Sequence, residues 1–312
     1  MASGSMHAFS KDGREFVYSY ATTTVDRVPE LQGFVDELDR SGQLSDHVVF
    51  REYIKDARYA LPKGFANPRS LVSLAVDTKL MRATFHWSGR ALDVFVPPQY
   101  YKTGMDAETL EEIVSRGIVG EDGHKIARLT HGHMKLLAVR TGLGRYGRNN
   151  ICYVDGMGTF TTLYAFVTDF GFETDEWTNV AMMDACLDCR VCRESCPTGA
   201  IPDDGFVLDA GKCIPLYNEI DSDFPDWLPA DVHNALVGCM RCQLPCPVNR
   251  EPLKRAGRLP DITEEETRAI LSDPPDEGAL GSASEKLRMD LTNDELRSVI
   301  ARNLLGLLGE GS

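Results

Sequence analysis

The chain has 312 residues, 43% of them hydrophobic and 26% charged, with a formal net charge of −14. That length suffices for two domains or one elaborated one, and the composition is ordinary for a soluble globular protein. The charge argues against a surface built to grip nucleic-acid phosphates, because that affinity comes mainly from Lys and Arg. One local exception is VRTGLGRYGRNN, with three arginines in nine residues. No run approaches the ~18 apolar residues of a membrane span. Nor does a basic-then-apolar leader or a twin arginine open the chain, so the expected compartment is the cytoplasm and no membrane partner is expected. MASGS ahead of Met6 reads as an expression remnant.

The first elements alternate in type. LVSLAV (71–76) is a continuous apolar run ending at Asp77, as a buried strand would be. ALDVFVPP (91–98) reads as a second strand, stopped by Pro97 and Pro98. DAETLEEIVSRG (106–117) has apolar residues at helical spacing, an acidic first turn and Gly117 where a C-cap belongs. HMKLLAVRTG (133–142) reads as another helix, closed by Gly142. GLGRYGRNN (142–150) follows it. Its glycines do not match the dinucleotide fingerprint, which follows a strand and opens a helix, so taken alone it is a surface loop. GTFTTLYAFVTDF (158–170), rich in β-branched and aromatic residues, is a strand. Strands alternating with helices suggest an α/β layer domain over 6–180.

The cysteines come next. CLDCRVCRESCP places Cys186, Cys189, Cys192, Cys196 and then Pro197 at the C-x-x-C-x-x-C-x-x-x-C-P spacing of bacterial ferredoxins. Three thiols at two-residue gaps let one short loop wrap three corners of an iron–sulfur cube, while the fourth is carried off to serve a second cube. A complementary set must therefore exist downstream. GCMRCQLPCPVN supplies Cys239, Cys242 and Cys246 followed by Pro247, and LDAGKCIPL supplies Cys213. The spacing assigns Cys186, Cys189, Cys192 and Cys246 to one 4Fe–4S cluster, and Cys213, Cys239, Cys242 and Cys196 to another. Paired C-x-x-C motifs can also be zinc ribbons, but those need neither a third cysteine at a two-residue gap nor a C-P ending. Cys152, the ninth, is expected to be a buried structural thiol. Between the runs, TGAIPDDGFVLDAGKC reads as the strand, turn and return of a ferredoxin-like module over 181–252. Two clusters within electron-transfer reach make a wire, and a wire needs a redox partner at its end.

Beyond 252, TEEETRAILS and TNDELRSVIARNLLGLL are amphipathic helices, each opened by a threonine cap. DPPDEGALGSAS between them reads as a mobile linker, so 253–312 is expected to be a helical cover.

The G-L-G-x-x-G loop, the GTF…TDF strand, CPTGAI, LDAGKCI and GCMRCQLPCPVN, in this order, resemble the epoxyqueuosine reductases. These are cobalamin-dependent iron–sulfur reductases related to the reductive dehalogenases. The resemblance is strongest from about 130 to 250. It implies an α+β chain: an α/β cobalamin-binding (nitroreductase-like) domain, an inserted or appended two-cluster ferredoxin-like module, and short C-terminal helices. It also implies a corrinoid held base-off beside the first cluster, and a low-potential electron donor, ferredoxin or flavodoxin. Gly142, Gly144, Gly147, Arg148, Asn149 and Asn150 would then line the corrin pocket.

The family's Y-x-x-G-x-D stretch carries an acidic proton donor, and YKTGMD supplies Tyr101, Gly104 and Asp106 in the same place. Asp106 is the candidate acid, with Tyr100 or Tyr101 as alternative donor. Asp106 also stands where the N-cap of the next helix belongs, and the tyrosines could simply be packed. The chain departs from the family where Ala107 and Glu108 follow Asp106, and where LTHGHMKLLAVR places His131 and His133. Those histidines could be a cobalt ligand or a metal pair, although i and i+2 do not face one point well. Only about 60 residues follow the last cysteine, which with the acidic charge argues against tRNA and for a small or nucleoside-like substrate. His124 reads as a loop residue, and Trp87 and Trp177 as core or as a stacking platform.

Three functions fit these readings. One is a cobalamin-dependent two-cluster reductase, an oxidoreductase with its own substrate. Another is an electron-transfer protein without substrate chemistry, and the third a protein that reduces and hands on a corrinoid.

Overall fold

A computed structural model describes residues 5–173, 175–229 and 231–310. The leading MASG therefore lies outside the described residues. The strands in chain order are β1 (His7–Lys11), β2 (Arg14–Thr24), β3 (Ser70–Asp77), β4 (Met81–Trp87), β5 (Arg90–Val96), β6 (Ile126–Leu129), β7 (Arg145–Tyr146), β8 (Cys152–Tyr153), β9 (Thr161–Thr168) and β10 (Gly257–Arg258). Two compact units hold them: 1–78 with 104–190 and 201–211, and 79–103 with 191–200 and 212–312. The boundaries at 180 and 252 follow composition along the chain, whereas these units follow packing and interleave in sequence. Among the described residues no helix is long and apolar enough to cross a membrane.

The first unit is built on a five-stranded sheet in the order β1-β2-β3-β9-β6. Every neighbouring pair in it is antiparallel. The alternation of strands and helices suggested an α/β layer, but an antiparallel sheet with helices laid on it is α+β. Central β3 explains its own apolar run. Side chains alternate across a strand, so Val72, Leu74 and Val76 meet Leu110, Ile113, Val114 and Ile118 on one face. On the other, Leu71 meets Leu31, Val35 and Leu137, and Ala75 meets Ala138 and Val139. A strand covered on both faces has no polar side to present. Each buried aliphatic side chain there contributes roughly 1.5–3 kcal/mol.

The helix Ala107–Glu112 continues as π-helical turns over Ile113–Val119 and ends at Gly120, whose φ is +70°. Gly117, expected to be the cap, lies inside those turns. A Cβ there would sit 2.6 Å from the Tyr18 hydroxyl, so packing rather than chain reversal asks for glycine. No strand forms between 197 and 211, contrary to the expected strand and return. Phe206 in this segment instead stacks on Tyr146, ring centroids 4.6 Å apart.

The second unit pairs β4 with β5 as a hairpin, and β10 joins β4 in parallel. Ser88 and Gly89, both at positive φ, make its two-residue turn. Met81, Ala83, Phe85, Val94 and Val96 face a core formed with Ile262, Ile270, Leu280, Leu287, Val299, Ile300 and Leu304. The helix Glu264–Leu271 opens with a capping box of Thr263 and Glu266. DPPDEGALGSAS is no linker. It runs into the helix Glu277–Leu287, capped by Asp276, with Leu280, Ala283 and Leu287 buried at helical spacing. The last helix, Asp294–Leu308, is capped by Asn293 rather than Thr292.

Candidate iron–sulfur centre and glycine loop

The glycine loop grows out of the helix Met134–Arg140. Gly142, at φ +76°, turns the chain out of the helix. The N–H groups of Gly142 and Gly144 donate back to Val139 and Ala138 carbonyls at 3.0 and 3.1 Å. A Cβ on Gly144 would lie 2.4 Å from Cys152 Sγ, and one on Gly147 2.4 Å from the Tyr153 ring. Both glycines are therefore small because β8 packs against them. Cys152 is buried there, its thiol pushed up to about 12 by that burial, as suits a structural cysteine.

Asn149 is buried and donates to Tyr153 Oη at 3.1 Å. Asn150, at φ +60°, donates to the Phe206 carbonyl at 2.9 Å. Its own carbonyl and Oδ1 accept from Lys135 Nζ at 2.9 and 2.8 Å.

Arg148 is 2% exposed. Its Nε donates to the Cys189 carbonyl at 3.1 Å and its Nη2 to Cys186 and Leu187 carbonyls at 2.8 and 3.1 Å. Nη1 donates to the Asp203 carbonyl. The loop thus reaches into the first cysteine run. The six residues expected to line a corrin pocket are all engaged inside their own unit.

None of the nine cysteines is in a disulfide. Cys186 and Cys189 lie in the first unit, whereas Cys192, Cys196, Cys213, Cys239, Cys242 and Cys246 lie in the second. Among the described residues no three His, Cys, Asp or Glu side chains gather as around a single ion. A cube is held by thiols at its corners, so this donor set of cysteines alone suits iron–sulfur chemistry.

The Cys239 turn has a built frame. Asn218, fully buried, donates from Nδ2 to the Gly238 carbonyl at 2.6 Å and accepts from Gly238 N–H at 3.1 Å. Asn303 of the last helix, also fully buried, donates to Asn218 and Leu236 carbonyls at 2.8 and 3.0 Å. Burial pushes the Cys239 thiol up to about 11. Sequence reading missed both asparagines, since nothing local distinguishes them from surface amides.

The candidate proton donors separate clearly. Asp106 is exposed and caps the helix Ala107–Glu112, accepting from Thr109 N–H at 2.7 Å. Those Thr109 hydrogen bonds hold its carboxyl below the usual carboxylate range. Tyr101 is buried, its hydroxyl donating to the Lys79 carbonyl at 2.6 Å. Tyr100 packs its ring over Gly238 and donates its hydroxyl to Glu219. Burial raises both the Tyr100 hydroxyl and the Glu219 carboxyl.

His131 is exposed and helps line a cavity of about 400 Å³ in the first unit, with Tyr53, Arg128, Thr130, Met134 and Tyr164. His133 instead sits edge-on to Tyr53 and Tyr59. The two histidines therefore do not form a pair. His124 bonds Asp169 at 3.0 Å. Trp87 Nε1 donates to Glu310 at 2.6 Å, and Trp177 Nε1 to Glu30 at 3.0 Å with Arg27 and Arg140 over its ring. Both tryptophans are tied into the protein's own contacts.

The sequence family described as a 4Fe-4S double cluster binding domain matches residues 185–249. Epoxyqueuosine reductase of Staphylococcus aureus is 35% identical over 116 residues, 37% of this chain and 29% of that protein. The Listeria monocytogenes epoxyqueuosine reductase is 28% identical over 200 residues, 60% of this chain and 50% of that protein. The matches thus span half or less of these relatives' own length. Epoxyqueuosine reductase from Bacillus subtilis superposes with a TM-score of 0.62 at 19% identity, covering 94% of this chain and 77% of the other. An epoxyqueuosine reductase crystallised with a tRNA-Tyr epoxyqueuosine-modified stem loop gives 0.63, also at 19%. The chain has the fold of these proteins and is similar to them in sequence over part of its length.

Proposed function

We propose that the chain is an iron–sulfur reductase of the epoxyqueuosine reductase kind. Its eight cysteines would hold two 4Fe–4S clusters that relay electrons from a low-potential donor, ferredoxin or flavodoxin, and a bound corrinoid would supply the reducing chemistry toward a small or nucleoside-like substrate. The observation that carries this reading is the order and spacing of eight cysteines within the segment that matches the double-cluster domain.

The corrinoid enters through the resemblance, and when bound it supplies a strongly reducing, nucleophilic metal. The glycine-loop residues fit it poorly as side-chain ligands, because their polar atoms are already engaged. The cavity beside His131, at about 400 Å³, is smaller than a whole corrinoid and could take only part of one. Tyr53 and Tyr164 offer aromatic walls, and Arg128, Thr130 and His131 offer groups able to bond amide side chains. Asp106, ionised and spent on a helix cap, is a poor proton source at neutral pH.

The charge of −14 argued against tRNA, yet net charge describes the whole surface and not one patch. The stem-loop complex of a relative makes an epoxyqueuosine-modified stem loop the first substrate to try. The reconstituted, cobalamin-loaded protein would be given such a stem loop and a low-potential reductant, and the nucleoside analysed by mass. Loss of one oxygen supports the reading. Retained epoxide beside a fully loaded protein would leave an electron carrier or a corrinoid-handling protein.

A further inference from the structure

We propose that Arg148 is the positioning residue and built-in counter-charge of the cluster held by Cys186 and Cys189, rather than a contact for a corrin ring. The inference rests on the iron–sulfur reading above.

A guanidinium removed from water is costly unless it is paired or fully hydrogen-bonded. Arg148 is 2% exposed, and among the described residues its guanidinium meets carbonyl oxygens only: those of Cys186, Leu187, Cys189 and Asp203. These oxygens solvate the charge but leave it uncompensated. Three of the four belong to the four-residue stretch that carries two cluster ligands. A buried cation with no anion of its own, embedded in a thiolate loop, fits a site whose missing anion is the cluster with its thiolates.

The fork also fixes the loop. In a trans peptide the C=O and the next N–H point in opposite directions. With the Leu187 and Cys189 carbonyls turned to Arg148, the N–H groups of Asp188 and Arg190 point away from it. Donors so turned suit the sulfur side of such a loop. A planar fork with five donors can hold several carbonyls at once, which an ammonium cannot reproduce in the same geometry.

The charge has a definite sign of effect. A nearby cation stabilises the more negative, reduced state, so it raises the cluster's reduction potential. Arg148→Gln removes charge and fork; Arg148→Lys keeps the charge and loses the fork. Both variants and the unmodified chain would be reconstituted anaerobically with iron and sulfide. Iron per chain, chelator resistance and the midpoint potentials of the reduced-cluster EPR signals would then be measured.

Arg148→Gln is expected to shift one of the two signals to a more negative potential while leaving the other in place. Arg148→Lys is expected to keep both potentials and to lose about half its iron faster under chelator. Unchanged potentials in a folded Arg148→Gln protein would overturn the proposal. If that variant fails to fold by circular dichroism, Arg148→Lys decides, and chelator resistance equal to the unmodified chain would overturn it. Failure of the unmodified chain to take up iron would instead overturn the iron–sulfur reading itself.

Discussion

Asn218 and Gly238 are joined side chain to backbone by two hydrogen bonds, at 2.6 and 3.1 Å, immediately before Cys239, a candidate cluster ligand. The pair imitates one rung of a strand ladder and fixes the turn from which that thiol projects. Asn303 in turn holds the Asn218 carbonyl, so the last helix supports this turn. Asn218→Ala would strand a buried N–H and a buried C=O, at roughly 1–3 kcal/mol each. We expect a lower melting temperature and loss of about half the iron. Iron content equal to the unmodified chain would show that the amide frame does not position the cluster.

Asn303→Leu tests the same frame from the helix side. It leaves the Asn218 and Leu236 carbonyls unpaired. The expected cost is about 2 kcal/mol, read by urea unfolding. A neutral effect would mean that the last helix is only a cover.

Gly144→Ala and Gly147→Ala test whether the glycine loop is packed or open. The added Cβ would meet Cys152 Sγ and the Tyr153 ring at 2.4 Å in each case. Overpacking of this kind costs typically 1–3 kcal/mol. Both variants should melt earlier before any cofactor is added. Equal melting with a loss confined to the cofactor-loaded protein would restore these glycines as ring contacts.

His133 gives a pH signature. Burial lowers its value from 6.5 to about 4 in the folded chain. The unfolded chain therefore takes the proton first as pH falls. The stabilisation is fully present above 6.5 and is lost between there and about 4, on the order of 2 kcal/mol. A His133→Phe variant should lose that slope in denaturant midpoints between pH 7 and pH 4. The same slope in both proteins would place the titrating group elsewhere.

The Asp106 carboxyl is held low by Thr109, so its cap is made above pH 4 and weakens as pH falls through its folded value. Asp106→Asn keeps an N-cap acceptor, whereas Asp106→Ala does not. If Asp106 only caps, turnover follows stability: the Asn variant stays active and the Ala variant is weakened modestly. A loss of 100-fold or more in a well-folded Asn variant would make it the acid.

What the sequence shows depends on how local the cause is. Eight cysteines at fixed gaps declare their chemistry within short loops, and β3 declares burial on both faces through seven buried residues, Ser70–Val76. The helix Glu277–Leu287 was hidden by Gly278, Gly281, Ser282 and Ser284, which imitate a linker, although Leu280, Ala283 and Leu287 already carried the stripe. The burial of Arg148 was hidden for a different reason. A basic residue in a glycine loop looks exposed, and only the approach of 186–189 and Asp203 reveals a buried fork. Asn218 and Asn303 lie 85 residues apart, so no window on the sequence contains both.

The most direct measurement is anaerobic reconstitution of the full chain with iron, sulfide and hydroxocobalamin, followed by desalting and metal analysis. About eight irons and one cobalt per chain are expected, as two four-iron cubes and one corrinoid require. About eight irons without retained cobalt would contradict the corrinoid reductase and leave a two-cluster electron carrier. Zinc in place of iron would contradict the iron–sulfur reading outright.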